Sequence, residues 1–257
     1  MAVIPSEVEE SLDTSERAGD VSTSLDMTER LFAALSVYND ITPHLAAMNM
    51  AIDEAVLETA VVPTIRFYRW GSPALSFGYF GKFSDVAIYA AERDLVRRWT
   101  GGGIVFHGDD LTYSIVIPAS DPAFSESATL IYEKVHRALA EALCGIGRRT
   151  ELVGSARCAD RTPQGGVLTN NCFANPVRAD VMMDGQKIAG AAQRRTQRGL
   201  LQQGSIQGFA MNTDLAQKFA QALSADCNEF EVNEKIFQRA GGLAQQKYGT
   251  ASWLKKR

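Results

Sequence analysis

The sequence predicts an α+β fold, a mostly antiparallel mixed sheet flanked by helices. Three observations carry this. Short β-branched runs alternate with turn residues, an Asp-Gly pair separates two strand-like runs at 184–185, and apolar residues recur at helical spacing around 47–60, 126–146 and beyond 213. No internal repeat is visible. The chain is long enough, at 257 residues with 46% hydrophobic side chains, for one large core or one large and one small.

In chain order, residues 1–26 come first, with seven acidic residues against a single base, Arg17. They hold few aliphatics and no aromatics, so they cannot bury enough apolar area to offset the entropy of ordering. Either this is a disordered acidic tail or the native start is Met27. No basic, apolar leader and no Arg-rich transit pattern is present, so a cytoplasmic location is expected. Met48, Ala51, Ile52, Ala55 and Val56 share one face of a helix over 47–60, which Pro63 closes. Thr64 to Trp70 alternates as a strand, Gly71-Ser72-Pro73 turns, and Ala74 to Phe80 reads as the next strand. Ile104 to His107 and Leu111 to Ile117 read as a hairpin around Gly108-Asp109-Asp110. Helical spacing covers 126–146, and 154–171 is loop-like. The runs 179–183 and 186–189 meet across Asp184-Gly185 as a type I′ hairpin, which needs positive φ at both turn positions. Gly199 to Ile206 is a further strand. From Thr213 the pattern is helical to the end, broken at Gly241-Gly242. The expected organisation is thus a tail over 1–26 and one domain over 27–257, whose residues 213–257 form a small helical part.

Net charge is −4, with the acid concentrated in the first 26 residues, so the remainder stands at +2. There is no dense basic stripe, which argues against nucleic acid, and no run of eighteen apolar residues, which argues against a spanning helix. The cysteines, Cys144, Cys158, Cys172 and Cys227, form no CxxC pair, so a zinc site is not expected.

Four groups of residues can carry chemistry. Thr100-Gly101-Gly102-Gly103, after Arg97-Arg98, bares main-chain N–H groups to a ligand, while the arginines can meet a carboxylate or phosphate; spacing alone equally allows a tight surface turn. Lys187 is followed by Ile188-Ala189-Gly190-Ala191-Ala192, small residues that leave room beside an ammonium able to hold an oxyanion; an exposed strand lysine is the plainer reading. Cys172, fifteen residues before Lys187, can be a thiolate nucleophile or a buried structural thiol; Cys144 and Cys227 suit the buried role better. His107 can be a base, an orienting group or a strand-end histidine, whereas His44 and His136 have no supporting context.

Together these segments resemble the biotin/lipoate protein ligase and octanoyltransferase superfamily from about Met48 to Ile206. Met50-Ala51-Ile52-Asp53-Glu54-Ala55 is similar to its first helix, and Arg66 to Trp70 with Ser76-Phe77-Gly78-Tyr79 to its first two strands. Arg97-Arg98, the glycine triplet and His107 are similar to its Arg-Arg/Gly-Gly-Gly/His signature. Gln186 to Arg194, closed by Gln203-Gly204-Ser205-Ile206, is similar to its lysine motif. The resemblance implies a class II biotin/lipoyl ligase-like catalytic domain. Catalysis by Cys172 and Lys187 is implied, with Arg97, Arg98, Thr100, Gly101, Gly102, Gly103, His107, Gly190 and Ala191 around the substrate. Gly101–Gly103 and Ala189–Ala192 are expected to line a tunnel for an eight-carbon chain.

Within the superfamily, Cys172-Phe173 and Leu111-Thr112-Tyr113-Ser114 resemble the cysteine-dependent octanoyltransferases, which take octanoyl from acyl carrier protein and need no cofactor. Arg178-x-Asp180 is similar instead to the contact that lipoate-protein ligases make to nucleotide or metal, and those enzymes need ATP and Mg. Gly81 stands where many members have glutamine. A carrier-binding member without catalysis is the third reading. The implied acceptor is the glycine-cleavage H protein or a lipoyl domain, and a monomer is expected.

Overall fold

The computed structural model describes residues 30–154, 176–208 and 214–256. The elements are β1 (Ala34–Asn39), α1 (Ala46–Thr59), β2 (Thr64–Tyr68), β3 (Ala74–Phe77), β4 (Asp94–Arg97), β5 (Ile104–His107), β6 (Leu111–Pro118), α2 (Ala128–Gly145), β7 (Glu151–Leu152), β8 (Val181–Met183), β9 (Gln186–Arg195), β10 (Gly199–Ile206), α3 (Asp214–Leu223), β11 (Asp226–Glu229), α4 (Glu234–Leu243) and α5 (Ala251–Leu254). A π-turn over Ala244–Tyr248 joins α4 to the last segment.

The large sheet runs β11-β1-β2-β6-β10-β9-β8-β7, and a small sheet runs β4-β3-β5. Pairing is mostly antiparallel, as the sequence predicts, with three parallel pairs: β1 with β11, β1 with β2, and β3 with β4. Alternation sorts the central strands. Tyr113, Ile115 and Ile117 of β6 face a core closed by α2 and α3, through Ile131, Leu139, Leu215 and Phe219. Val116 and Leu201 face the opposite core, closed by α1 and α4 through Ile52, Val56, Ile236 and Ala240. Helix ends are fixed by side chains: Ser127 accepts from Leu130 N at 3.2 Å and Asn233 from Ile236 N at 3.0 Å.

Several expectations are met in detail. β10 has the expected bounds, and Asp184 (φ 51°) with Gly185 (φ 77°) turns β8 into β9 in the left-handed pair of a type I′ hairpin. Others are corrected. β5 and β6 do not pair: β5 joins β3 in the small sheet, while β6 joins β2 and β10 in the large one. The link that looks like a hairpin turn is a crossing between sheets, pinned where Asp110 turns inward. Helix α1 is not one-sided, because Asn49, Asp53 and Glu54 are buried with its apolar residues between the sheet and the C-terminal segment. The C-terminal region is not helical throughout, since β11 adds a polar edge strand, and Gly241-Gly242 lies inside α4 rather than breaking it. Cys144 is exposed on α2, turned from the side that buries Leu139, Ala142 and Leu143, so it is not a core thiol. Cys227 is half-buried, and burial raises its thiol pKa. Cys158 and Cys172, and most of the 154–171 loop, lie outside the described residues.

Candidate active site

Where the two sheets face each other, the fold leaves a half-open pocket. Its walls come from Lys187, Gly190, Ala191 and Ala192 of β9, from Gln203 to Ser205 of β10, from Met50 of α1, and from Tyr68, Trp70, Ser76, Arg98, Val105, His107 and Thr112. Small residues on β9 and β10 make the space, because no side chain fills the gap between strands and small sheet.

Lys187 enters this wall as a buried cation. Its Nζ is 2.7 Å from Asp180 Oδ2, with the two side chains 3% and 0% exposed. Asp180 is held in turn: Tyr132 Oη donates to its Oδ1 at 2.5 Å and Val177 N to its Oδ2 at 2.7 Å. Tyr132 also accepts from Ala191 N at 3.2 Å, tying α2 to the same stretch of β9. Gly190 makes this geometry possible, since a Cβ there would stand 2.5 Å from Lys187 Cε and 2.7 Å from its Nζ. Beneath, buried His136 donates from Nδ1 to Ala179 O at 2.7 Å, leaving Nε2 to accept from Tyr113 Oη at 3.1 Å. Burial pulls the His136 pKa down to about 4.

His107 forms the opposite wall. Its ring stacks on Trp70 with centroids 3.9 Å apart. Asp110 Oδ2 lies 2.8 Å from Nδ1 and Ser76 Oγ 2.7 Å from Nε2. The carboxylate can only accept, so Nδ1 carries the proton and Nε2 accepts from Ser76, which itself accepts from Arg98 at 2.6 Å. Burial lowers the His107 pKa despite Asp110, so the ring is neutral. Burial would raise Asp110, but hydrogen bonds from His107, Ser205 and Gly108 N outweigh it and hold this carboxyl below its ordinary value. With both nitrogens taken, His107 is a fixed wall and an anchor for the loop, not an idle base.

The two arginines, neighbours in sequence, do different work. Arg98 lines the cavity and donates to Gly101 O at 3.1 Å and Gly103 O at 2.8 Å, shaping the glycine loop. Thr100 fixes the loop to β10 through Gln203 Oε1 at 2.8 Å. Arg97 points away: it is fully buried and donates to the carbonyls of Tyr79, Gly81, Trp253, Leu254 and Lys256. Gly102 and Gly103 line an outer groove with Gly78, Phe80 and Lys82 rather than the pocket between the sheets, so only the β9 half of the expected tunnel wall is found there. Gly78 must be glycine, because a Cβ would enter the carbonyls of Gly101 and Gly102.

Sequence reasoning gave no site role to Asp110 and Tyr132, nor to Thr112, Gln203 and Ser205, which it quoted only within family-like segments. The available signal was polarity inside central strands: Gln202, Gln203 and Ser205 interrupt an otherwise apolar β10, and all are buried. Among the described residues, no three His, Cys, Asp or Glu side chains are placed to hold a metal ion, and no helix is long and apolar enough to cross a membrane.

A buried lysine beside small residues on one strand, opposite a glycine loop held by an arginine, is the arrangement found where the Lipoyl protein ligase A/B catalytic domain profile matches, over residues 46–240. The chain belongs to that family. The Octanoyltransferase LipM of Oceanobacillus iheyensis is 37% identical over 207 residues, spanning 77% of this chain and 72% of that protein. The Octanoyltransferase LipM of Brevibacillus brevis is 35% identical over 62% of this chain and 61% of its own length. Two solved structures share the fold: a lipoate-protein ligase A bound with ATP (TM-score 0.66, 21% identity, 87% of this chain and 98% of that one), and a bi-partite lipoate protein ligase from Thermoplasma acidophilum (TM-score 0.62, 21% identity, 87% and 96%). This lipoyl ligase-family chain is therefore an enzyme of protein lipoylation, with octanoyl transfer the activity for which its relatives are named.

Proposed function

We propose that the chain moves an octanoyl group from the thioester of an acyl carrier protein to a specific lysine of a lipoyl carrier domain, through a thioester on Cys172. The observation that carries this reading is the cavity between the sheets, with an anchored lysine in a wall of small residues. Cys172 lies outside the described residues, and its role rests on its place in the sequence, before the lysine motif. In the first half-reaction its thiolate attacks the donor carbonyl carbon. The donor carbon–sulfur bond breaks and the carrier leaves as a thiol after taking a proton. In the second, the neutral amine of the target lysine attacks the Cys172 thioester, the bond to Sγ breaks, and the amine gives up a proton. The Lys187 ammonium, with main-chain N–H groups, stabilises the oxyanion of each step. Arg98, Thr100 and His107 hold the loop and wall that orient the acyl chain, Gly101 to Gly103 line the approach, and Gly190 and Ala191 leave it room. Arg97 supports the site from behind.

Thioester exchange is nearly isoenergetic and amide formation from a thioester is downhill, so this route requires no ATP. In the alternative ligase reaction, ATP and Mg would make an acyl-adenylate first. Asp180, the carboxylate whose surroundings resemble that ligase contact, already accepts from Lys187, Tyr132 and Val177 N–H, which favours the transferase. Glycine-cleavage H protein and the lipoyl domains of 2-oxoacid dehydrogenases are the acceptors this reading implies. Each buried CH₂ contributes about 0.8 kcal/mol, so a hexanoyl donor, shorter by two, should load roughly fifteen-fold less efficiently.

The test is intact mass after mixing with octanoyl-acyl carrier protein, without ATP, for wild type and Cys172→Ala. A hydroxylamine-labile octanoyl adduct on wild type alone supports the reading. No adduct on either protein, with octanoyl-adenylate formed once ATP and octanoate are added, moves the chain to the ligases.

A further inference from the structure

Alternation along β9 puts Arg194 on the same face as Ala192, one step beyond the cavity wall. Its guanidinium stands 4.9 Å from the Trp99 ring and 5.1 Å from the Tyr79 ring. Lys256 Nζ lies 5.0 Å from the same Tyr79 ring and 5.1 Å from Trp253. Lys247 Nζ lies 4.4 Å from Trp99 and 4.6 Å from Trp253. Three cations from three separate segments thus share three aromatic rings just outside the acyl cavity.

The arrangement is built into the fold. Arg97 grips the carbonyls of Trp253, Leu254 and Lys256 with the same side chain that holds Tyr79 and Gly81, and Trp253 Nε1 donates back to Arg97 O at 2.9 Å. The nearby carboxylates are spoken for. Glu54 accepts from Lys247 at 2.6 Å and Tyr248 at 2.5 Å, and Glu58 pairs with Arg239 and Arg198. Among the described residues, no carboxylate lies within ion-pair distance of Arg194 or Lys256. Gathering like charges costs free energy that an incoming anion would return, and aromatic faces hold the cations in place meanwhile. The Tyr79 hydroxyl registers this field: Lys256, then Arg194 and Lys247, pull its pKa below the ordinary value.

We propose that Arg194, Lys256 and Tyr79, backed by Lys247, form a phosphate subsite that receives the phosphate ester of the arm carrying the donor thioester. The proposal rests on the transferase reading. Arg194 and Lys256, each about 5 Å from the same Tyr79 ring, fit a compact anion better than an extended acidic protein face. The phosphate of an acyl-adenylate has the same chemistry, and the experiment separates the two.

Octanoyl-4′-phosphopantetheine and octanoyl-pantetheine differ only in the phosphate. Loading efficiency with each, read by intact mass, gives a preference ratio within one protein, so a partly unfolded variant does not distort it. Wild type should prefer the phosphorylated donor by about ten-fold or more, the scale of charged hydrogen bonds. In Arg194→Gln/Lys256→Gln the ratio should fall to about one. Equal loading by wild type, or a preference that survives in the double variant, overturns the proposal. So does a double variant slowed with synthetic octanoyl-adenylate while wild type shows no thioester preference, which would assign the subsite to a nucleotide. If wild type loads from neither small thioester, the transferase reading is decided by octanoyl-acyl carrier protein alone. The subsite is then judged by Trp99 and Trp253 fluorescence: quenching by 4′-phosphopantetheine but not pantetheine, lost in the double variant, supports it, and no difference overturns it.

Discussion

Asp180→Asn keeps the shape of a side chain and removes only its charge, which makes it the sharpest probe of how Lys187 is held. The carboxylate and the lysine are buried to 0% and 3% exposure, at 2.7 Å. Removing one member of such a pair costs about 3–5 kcal/mol, because the other charge stays out of water. The amide keeps its carbonyl toward Val177 N–H and the ammonium only by turning its NH₂ to Tyr132 Oη, which must then accept instead of donate. Lys187→Met in the same background removes the second charge and keeps the volume. Replacing a buried pair by apolar groups is often close to neutral, so the double variant should recover to within about 2 kcal/mol of wild type. Urea unfolding of wild type, both single variants and the double variant measures this directly, with the slope checked for constancy. A double variant whose loss equals the sum of the single losses would refute the reasoning, because it would mean the two side chains do not interact in solution. Acyl loading should be lost in both Lys187→Met proteins, whatever their stability.

Two further outcomes follow from buried polar groups. His136 titrates at about 4 in the fold but near 6.5 when unfolded, so the unfolded state binds more protons between these values and stability falls as pH drops through that window. At about 1.4 kcal/mol per pH unit, this group removes about 2 kcal/mol between pH 6.5 and 5; His136→Gln should flatten that part of the urea stability profile, leaving the contributions of His107 and His44, whose pKa values burial also lowers, and an unchanged slope would contradict the assignment. Arg97→Lys keeps the charge but cannot reach five carbonyls with one ammonium, so the C-terminal segment should loosen by about 2–4 kcal/mol and trypsin should cut faster at Lys255 and Lys256; unaltered digestion would show that the clamp does not hold the segment.

What could be read from the sequence is what local chemistry decides. Asp184-Gly185 encodes its own turn, because both residues accept positive φ, and this alone brings Lys187 onto β9 at the right register. Glycines 101 to 103 mark a loop whatever surrounds them. What could not be read depends on partners far away in the chain. Gly108-Asp109-Asp110 has the composition of a hairpin turn, yet Asp110 is drawn inward by Thr112 and by Ser205, ninety-five residues on, and the strands part into different sheets. Asn49 and Asp53 spoil the one-sided reading of α1 because Arg66, inside the sheet, donates to both, with Tyr68, Ser114 and Gln203 also donating to Asp53. Arg97 and Arg98 are alike as letters. Their difference in role follows from strand alternation at the end of β4, which sends one to the C-terminal carbonyls and the other to the glycine loop beside the cavity. The site therefore has two layers of legibility: residues whose backbone demands are local stand out in one sequence, whereas residues such as Asp180 and Tyr132, which set where Lys187 points, become visible only when helix α2 and strand β9 are brought together.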